Sequence, residues 1–303
     1  MSSLHAGGTF ARPGYAEAFA IGLKPLDDPA RWLAPDDRLT ANLAEKDALI
    51  ASRPADVFAA RADTVDAQAE ALALLAGHLP AAFPQTYRRT AHTIGIGERS
   101  VPVAPDADPA PLLTASRLVA DDLVLMRKHD DGWRLVAASL CFPSYWRLAE
   151  KFDRPLASIH APVPGFSAGT RKAVLIERMF DNLRPGVIVA RSNWSLHDNG
   201  GLFRPQPHPH DLLPAEASID DLAAMFLRCE DQTLCKLPES GDILFTIRVA
   251  TDPLAGIFDH AGLAASLATR LRALDRPGQD YKGIRAGRDA LADWLERGAA
   301  RNH

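Results

Sequence analysis

The chain has little cysteine: Cys141, Cys229 and Cys235 are the only three in 303 residues. An odd and small count argues against a disulfide framework and for a reducing compartment. It also lacks a dominant charge. Lys and Arg number 34 against 38 Asp and Glu, a formal net charge of −4, so nothing draws the chain as a whole to nucleic acid. No long hydrophobic run occurs. The most apolar stretch, Ala69 to Phe83, is broken by Glu70, Gly77, His78 and Pro80 and falls short of the ~20 residues that span a bilayer. The N-terminus has no basic segment leading into an apolar run, as a signal peptide would. These absences predict a cytoplasmic protein with neither a membrane nor a nucleic-acid partner. Motifs are missing as well. There is no GxxxxGK[ST], CxxC or HExxH, and Gly95-Ile96-Gly97 lacks the third glycine of a dinucleotide fingerprint. The chain is therefore expected to hold no nicotinamide cofactor, P-loop nucleotide or iron–sulfur cluster of its own.

What is present is ordinary globular material, 47% hydrophobic and 24% charged, long enough for one large domain or two smaller ones. The first 30 residues are broken by Pro13, Pro25 and Pro29. Leu39, Leu43 and Ile50 then share a helical face. Val65, Leu72, Leu75 and Leu79 form a second stripe, ended by Pro80 and Pro84. Residues 102–111 carry four prolines and read as a connector. Leu118–Arg127 and Trp133–Cys141 read as a hairpin around Asp130-Asp131-Gly132, and Pro143 opens a short helix to about Lys151. Val187–Arg191 is a short strand, and residues 197–214 are a proline-rich loop. Ser218 and Asp221 form a capping box that predicts a helix to about Lys236. Ile243, Phe245, Ile247 and Val249 alternate as in a strand, and the tail from Phe258 returns to helix. The sum is α+β, with helices at both ends and a mainly antiparallel sheet between them.

Four groups of residues could carry chemistry. His160 lies in Ile159-His160-Ala161-Pro162-Val163-Pro164, where two prolines stiffen the backbone beside the ring. Such a loop can aim an imidazole at a metal; it can equally hold a hydrogen-bonded structural histidine. His208-Pro209-His210, with His197 and Asp211, is the rival metal cluster, suited to a mononuclear zinc or iron enzyme, or simply a solvated loop. Arg191-Ser192-Asn193-Trp194 follows a strand, where an arginine can meet a carboxylate and an indole can cover an apolar ligand; a salt bridge beside a core tryptophan is the alternative. Arg228 and Gln232, four apart, are neighbours on one face of the predicted helix, reaching either a ligand or solvent. Cys229 and Cys235 read as small buried hydrophobes.

Several segments taken in order carry a resemblance. Leu140-Cys141-Phe142-Pro143-Ser144-Tyr145-Trp146 and Glu150-Lys151 precede Ile159-His160-Ala161-Pro162-Val163-Pro164. Arg191-Ser192-Asn193-Trp194, Leu227-Arg228-Cys229-Glu230-Asp231-Gln232-Thr233-Leu234, Leu237-Pro238 and Phe245-Thr246-Ile247 follow. The series resembles the heme-dependent oxidative N-demethylase alpha-subunit family, over roughly residues 30–260 and most strongly 118–255. The resemblance implies a PAS-like antiparallel core at 102–257 that binds haem b. An irregular and helical extension at 1–101 and a helical segment at 258–303 would flank it. It implies a mono-oxygenase that removes a methyl group from a small secondary amine, such as dimethylamine, as formaldehyde, using O2. Electrons would come from NADPH through FMN and a [2Fe-2S] cluster on partner reductase subunits. The histidine–proline motif makes His160 the axial iron ligand, with Arg191, Asn193, Trp194, Arg228 and Gln232 as further cofactor-binding residues. The chain departs from the family pattern at Asp231, where an arginine is expected, which reverses a charge beside the expected site. A haem sensor or interaction module on the same fold is the alternative, although no output domain is visible.

Overall fold

Polar and apolar residues alternate along the middle of the chain, and the backbone there is extended and paired. A computed structural model describes residues 22–104, 109–166, 169–260 and 262–301. Its strands are β1 (Lys24–Pro25), β2 (Phe58–Ala60), β3 (Tyr87–Arg89), β4 (Thr93–Ile96), β5 (Arg99–Pro102), β6 (Asp122–His129), β7 (Gly132–Ser139), β8 (Ile188–His197), β9 (Phe226–Lys236) and β10 (Ile243–Pro253). The helices are α1 (Leu39–Ser52), α2 (Pro54–Val57), α3 (Val65–Ala82), α4 (Pro111–Ser116), α5 (Leu148–Lys151), α6 (Leu156–His160), α7 (Arg171–Asn182), α8 (Ile219–Ala223), α9 (Leu263–Ala273), α10 (Arg276–Tyr281) and α11 (Arg288–Arg301). A seven-stranded sheet runs β1-β8-β9-β10-β6-β7-β2 with every pairing antiparallel, and β3-β4-β5 form a small second sheet. The α+β reading holds. Strands β1 and β2, from the expected N-terminal extension, complete the edges of the large sheet.

Both faces of that sheet are covered. On one, Leu123, Leu125, Cys235 and Leu244 pack with Trp32, Leu43, Leu75 and Leu112 of the N-terminal third. Beside them Trp194, Leu196, Leu227 and Cys229 pack with Leu267, Leu271, Leu291 and Leu295 of the C-terminal helices. On the other face Val124, Met126, Leu234 and Ile243 meet Leu148, Leu156, Phe180 and Leu183 from α5, α6, α7 and the residue after it. This explains why β10, read as a half-buried alternating strand, buries Leu244, Thr246 and Arg248 as well.

Several expected elements are corrected. The capping box at Ser218 forms, but its helix ends at Ala223, and 226–236 is a strand. Leu227, Cys229 and Cys235 alternate with Arg228, Glu230 and Gln232, and β8 and β10 supply backbone partners along the whole segment; pairing outweighs local helix propensity. Pro143 starts no helix. The buried Asp122 carboxylate accepts the N–H groups of Cys141 (2.7 Å) and Phe142 (2.9 Å), the chain turns through a left-handed Tyr145 with φ 61°, and helix resumes only at Leu148. Strand β6 begins at Asp122 rather than Leu118, because Leu118 N–H still bonds back to Ala115. Pro80 does not end α3 but lies inside it. It cannot donate to the Ala76 carbonyl four residues back, and Arg89 Nη1 donates there instead at 2.6 Å. Finally, β8 extends to His197, so Arg191 is a mid-strand residue.

Candidate functional site

His160 is not in a loop but is the last residue of α6. Pro162, with no N–H to donate, follows that last turn. The imidazole Nδ1 donates to the Leu156 carbonyl at 3.0 Å, which fixes the tautomer and leaves Nε2 as a lone-pair donor. Nε2 makes no hydrogen bond among the described residues. Burial, assisted by the charges of Lys151 and Arg191 and opposed by the Leu156 bond, holds the ring pKa below the ordinary histidine value. That favours the neutral imidazole, the form a metal takes.

Strand register decides which other side chains share this side of the sheet, since directly opposed residues point the same way. Arg191 opposes Gln232, Asn193 opposes Glu230, and Ser195 opposes Arg228. All lie on the face that carries Val189, Leu234 and Phe245; α5–α7 pack on it around Val189 and Leu234, while Phe142 and Leu202 bond Arg228 farther along. Trp194 opposes Cys229 on the far face, where it is 7% exposed in the C-terminal core. Four of the expected residues therefore come together: His160, Arg191, Asn193 and Gln232. Trp194 does not join them, because a one-residue step along a strand reverses direction. Arg228 shares the face, but its guanidinium is fully buried and committed. It donates to the Phe142 carbonyl, to Leu202 O at 3.0 Å and to Glu230 at 3.2 Å. The even spacing of Arg228 and Gln232 that suggested a shared helix face places them on one strand face too.

Sequence reasoning missed Glu230, Lys151, Tyr281 and Lys282. Glu230 lies between Arg228 and Gln232, accepting from Arg228 Nε and Gln232 Nε2 at 3.2 Å each. Reading 226–236 with period two would have found it. Its charge is felt by Lys151, Arg191, Tyr281 and Lys282 alike. Lys151 stands 3.7 Å over the Trp146 ring, and burial pushes its pKa down to about 8. Lys282 reaches the part of β8 that β1 leaves unpaired, donating to Trp194 O at 2.7 Å, and burial lowers it to about 8 as well. Arg191 is also pushed down by burial. Among the described residues Arg191 and Lys151 make no hydrogen bond or ion pair, and the Asn193 amide makes none with its side chain. Among the described residues the face thus offers two half-buried cations with no carboxylate bonded to them, an amide and an imidazole nitrogen without hydrogen bonds, beside one carboxylate.

The rival cluster disperses. His208 donates to the Pro209 carbonyl at 2.6 Å and packs 4.3 Å from the Tyr145 ring. His210 is exposed against Asp211 at 2.9 Å. His197 is buried, stacked 4.7 Å from Tyr145, with Nε2 near Ser144 and Ser195. No group of three metal-binding side chains exists among the described residues. Asp231 turns to the opposite face from Glu230, accepting from Ser192 Oγ at 2.6 Å, so its departure from the family pattern is not at this site. A surface depression of about 300 Å³ at the β6–β7 turn, lined by Arg61, His129, Asp130, Asp131 and Arg134, holds none of these residues.

Residues 22–292 match the family model described as haem-dependent oxidative N-demethylase, alpha subunit-like. The chain belongs to that family. It is accordingly a haem oxidoreductase, and the alpha-subunit designation implies other subunits. The face described above fits the cofactor: a haem needs a neutral nitrogen for its iron and cations for its propionates. His160 Nε2, and Arg191 and Lys151 with no bonded carboxylate among the described residues, are groups of these two kinds in this member of the demethylase family. No helix among the described residues is long and apolar enough to cross a membrane.

Proposed function

We propose that this chain holds haem b through His160 Nε2, pairs its propionates with Arg191 and Lys151, and N-demethylates a small secondary amine. The haem would supply the O2-dependent oxidation of an N-methyl group, released as formaldehyde. The residues of the chain do the rest. Leu156 O orients the His160 ring. Asn193 and Gln232 offer amide groups on the same face. Glu230, held by Arg228 and Gln232, is the carboxylate available to accept the N–H groups of a protonated amine. The flanking apolar side chains keep bulk water from the site. FMN, [2Fe-2S] and NADPH belong to partner subunits in this reading, consistent with the missing fingerprints.

The observation that carries the proposal is an imidazole whose Nδ1 is bonded to Leu156 O and whose Nε2 makes no hydrogen bond, beside two cations with no carboxylate bonded to them among the described residues. Purified protein should show an intense Soret band. His160→Ala should lose most of the haem or change the axial spectrum, whereas His208→Ala with His210→Ala should keep both. Unchanged haem content and an unchanged ferric spectrum in His160→Ala would reject the ligand. NADPH-coupled formaldehyde release from dimethylamine, with the reductase subunits supplied, tests the reaction.

A further inference from the structure

The turn at Cys141–Trp146 is built more rigidly than a connector requires. Asp122 holds the N–H groups of Cys141 and Phe142. Arg204 N–H donates to Pro143 O at 3.2 Å, and Tyr145 N–H donates to Arg204 O at 2.7 Å. These bonds hold Tyr145 in the left-handed region, φ 61°, a conformation that a bulky residue keeps only where its surroundings impose it. The Tyr145 ring is clamped between His197 and His208, 4.7 and 4.3 Å away. The next side chain, the half-buried Trp146 indole, is set against the core that α5–α7 form with the sheet.

That indole already carries a cation. Lys151 Nζ stands 3.7 Å from the ring centroid, well inside the range of about 6 Å over which a ring face attracts positive charge. Lys282 and Lys128 also stand over tryptophans, but each is anchored elsewhere, Lys282 on Trp194 O and Lys128 on Asp181, both at 2.7 Å. Lys151 has no such anchor among the described residues. Burial disfavours its charge there, and the Glu230 carboxylate acts on the same ammonium in the opposite sense. An indole face within the field of a carboxylate suits an N-methylated ammonium ion. Its methyl groups, which share the positive charge, can lie on the ring while its N–H groups meet the carboxylate. We infer that the Trp146 ring face is the seat of the substrate's methylammonium group, and that Lys151 fills this seat in the empty protein until it pairs with a haem propionate. The inference deepens the demethylation reading and rests on it. Cofactor then binds before amine, and the empty chain takes up no amine.

The test begins with full-length protein free of haem. Dimethylammonium chloride is titrated in and its methyl protons are followed by NMR, because a methyl group lying on an aromatic face shifts upfield. Lys151→Ala should bind the ion about tenfold or more tightly than wild type does, with an upfield shift, and should not bind 2-propanol, an uncharged molecule of similar shape. Adding Trp146→Leu should abolish the shift and weaken binding by about tenfold. Adding Trp146→Phe instead should keep a reduced shift, which separates loss of the ring from loss of the fold. Equal affinities in wild type and Lys151→Ala, binding without an upfield shift, or an unchanged shift after Trp146→Leu would each overturn the seat. Haem-loaded wild type should bind the amine about tenfold or more tightly than the empty wild type in calorimetry. A seat that Lys151→Ala opens and haem loading does not would overturn the displacement of the lysine. A wild type that takes up no haem would instead reject the haem reading, and the titrations of the empty protein still decide the seat.

Discussion

Arg191 is half-buried in the middle of β8 without a carboxylate to bond, which separates two roles that the sequence leaves mixed. A structural salt bridge would stabilise the empty protein; an anion-binding arginine does not. Arg191→Ala is therefore expected to leave the apoprotein's melting temperature unchanged or higher. It should weaken haem retention by about 5- to 150-fold, the ~1–3 kcal/mol of a partly buried carboxylate left unpartnered. Arg191→Lys should fall between, keeping the charge but losing the two-pronged geometry. Haem titration corrected for folded fraction reads both; an unaltered dissociation constant in Arg191→Ala rejects the role. His197 makes a pH prediction. It is fully buried with Nδ1 unpartnered. Burial, with the nearby charges of Arg228, Arg204 and His208, pushes its pKa to about 3. The unfolded chain binds that proton more readily, so the contribution is complete above about pH 6.5 and is lost as pH falls toward 3. At pH 5 the loss is about 2 kcal/mol. Asp122, raised by burial to about 6, acts in the opposite direction as pH falls, so the comparison must be with a variant. Urea unfolding of wild type and His197→Phe at pH 7 and pH 5 should show a stability drop smaller in the variant by about that amount. Equal drops would mean that His197 titrates normally.

At the scale of elements, the hairpin β6–β7, strand β10 and the helical ends were legible because their signals are local: a DG turn, a period of two, apolar stripes. Strand β9 was not. Its eleven residues follow a genuine helix cap, and only β8 and β10, distant in sequence, make it extended. That one misreading hid Glu230. It also left the partners of Arg191 and Asn193 unknown, since cross-strand neighbours are fixed by register. His160, by contrast, could be picked out from its own surroundings. Proline readings failed in a similar way, because Arg89, beyond the end of α3, supplies the donor that Pro80 lacks. Arg89→Ala should cost about 1–3 kcal/mol in urea unfolding, the penalty of a carbonyl left unbonded. Pro80→Ala should cost less in that background than it does alone, or even stabilise, because an alanine at this position restores the N–H. Additive effects in the double-mutant cycle would show that the two groups do not share the Ala76 carbonyl.

Over the whole molecule, the C-terminal helices are part of the sheet's cover rather than an appendage. Leu267, Leu271, Leu291 and Leu295 bury Trp194, Leu196, Leu227 and Cys229, and Lys282 bonds the open edge of β8. A chain ending at Asp259 should therefore be largely insoluble, and any soluble fraction should retain little haem; a soluble truncate with a full Soret band would contradict this. The two sides of the sheet are nonetheless unequally covered. Long helices and two cores back one face. On the His160 side, beside the twelve-residue α7, α5 and α6 have only four and five residues, too short to persist without tertiary support. Opening there exposes little of either large core, so it should take far less free energy than unfolding the sheet. Amide exchange in the empty protein should then be quick across 148–166 and slow in β6, β9 and β10. A cofactor held under such a cover would come and go through a local door, while the sheet stays folded and ready to be reloaded.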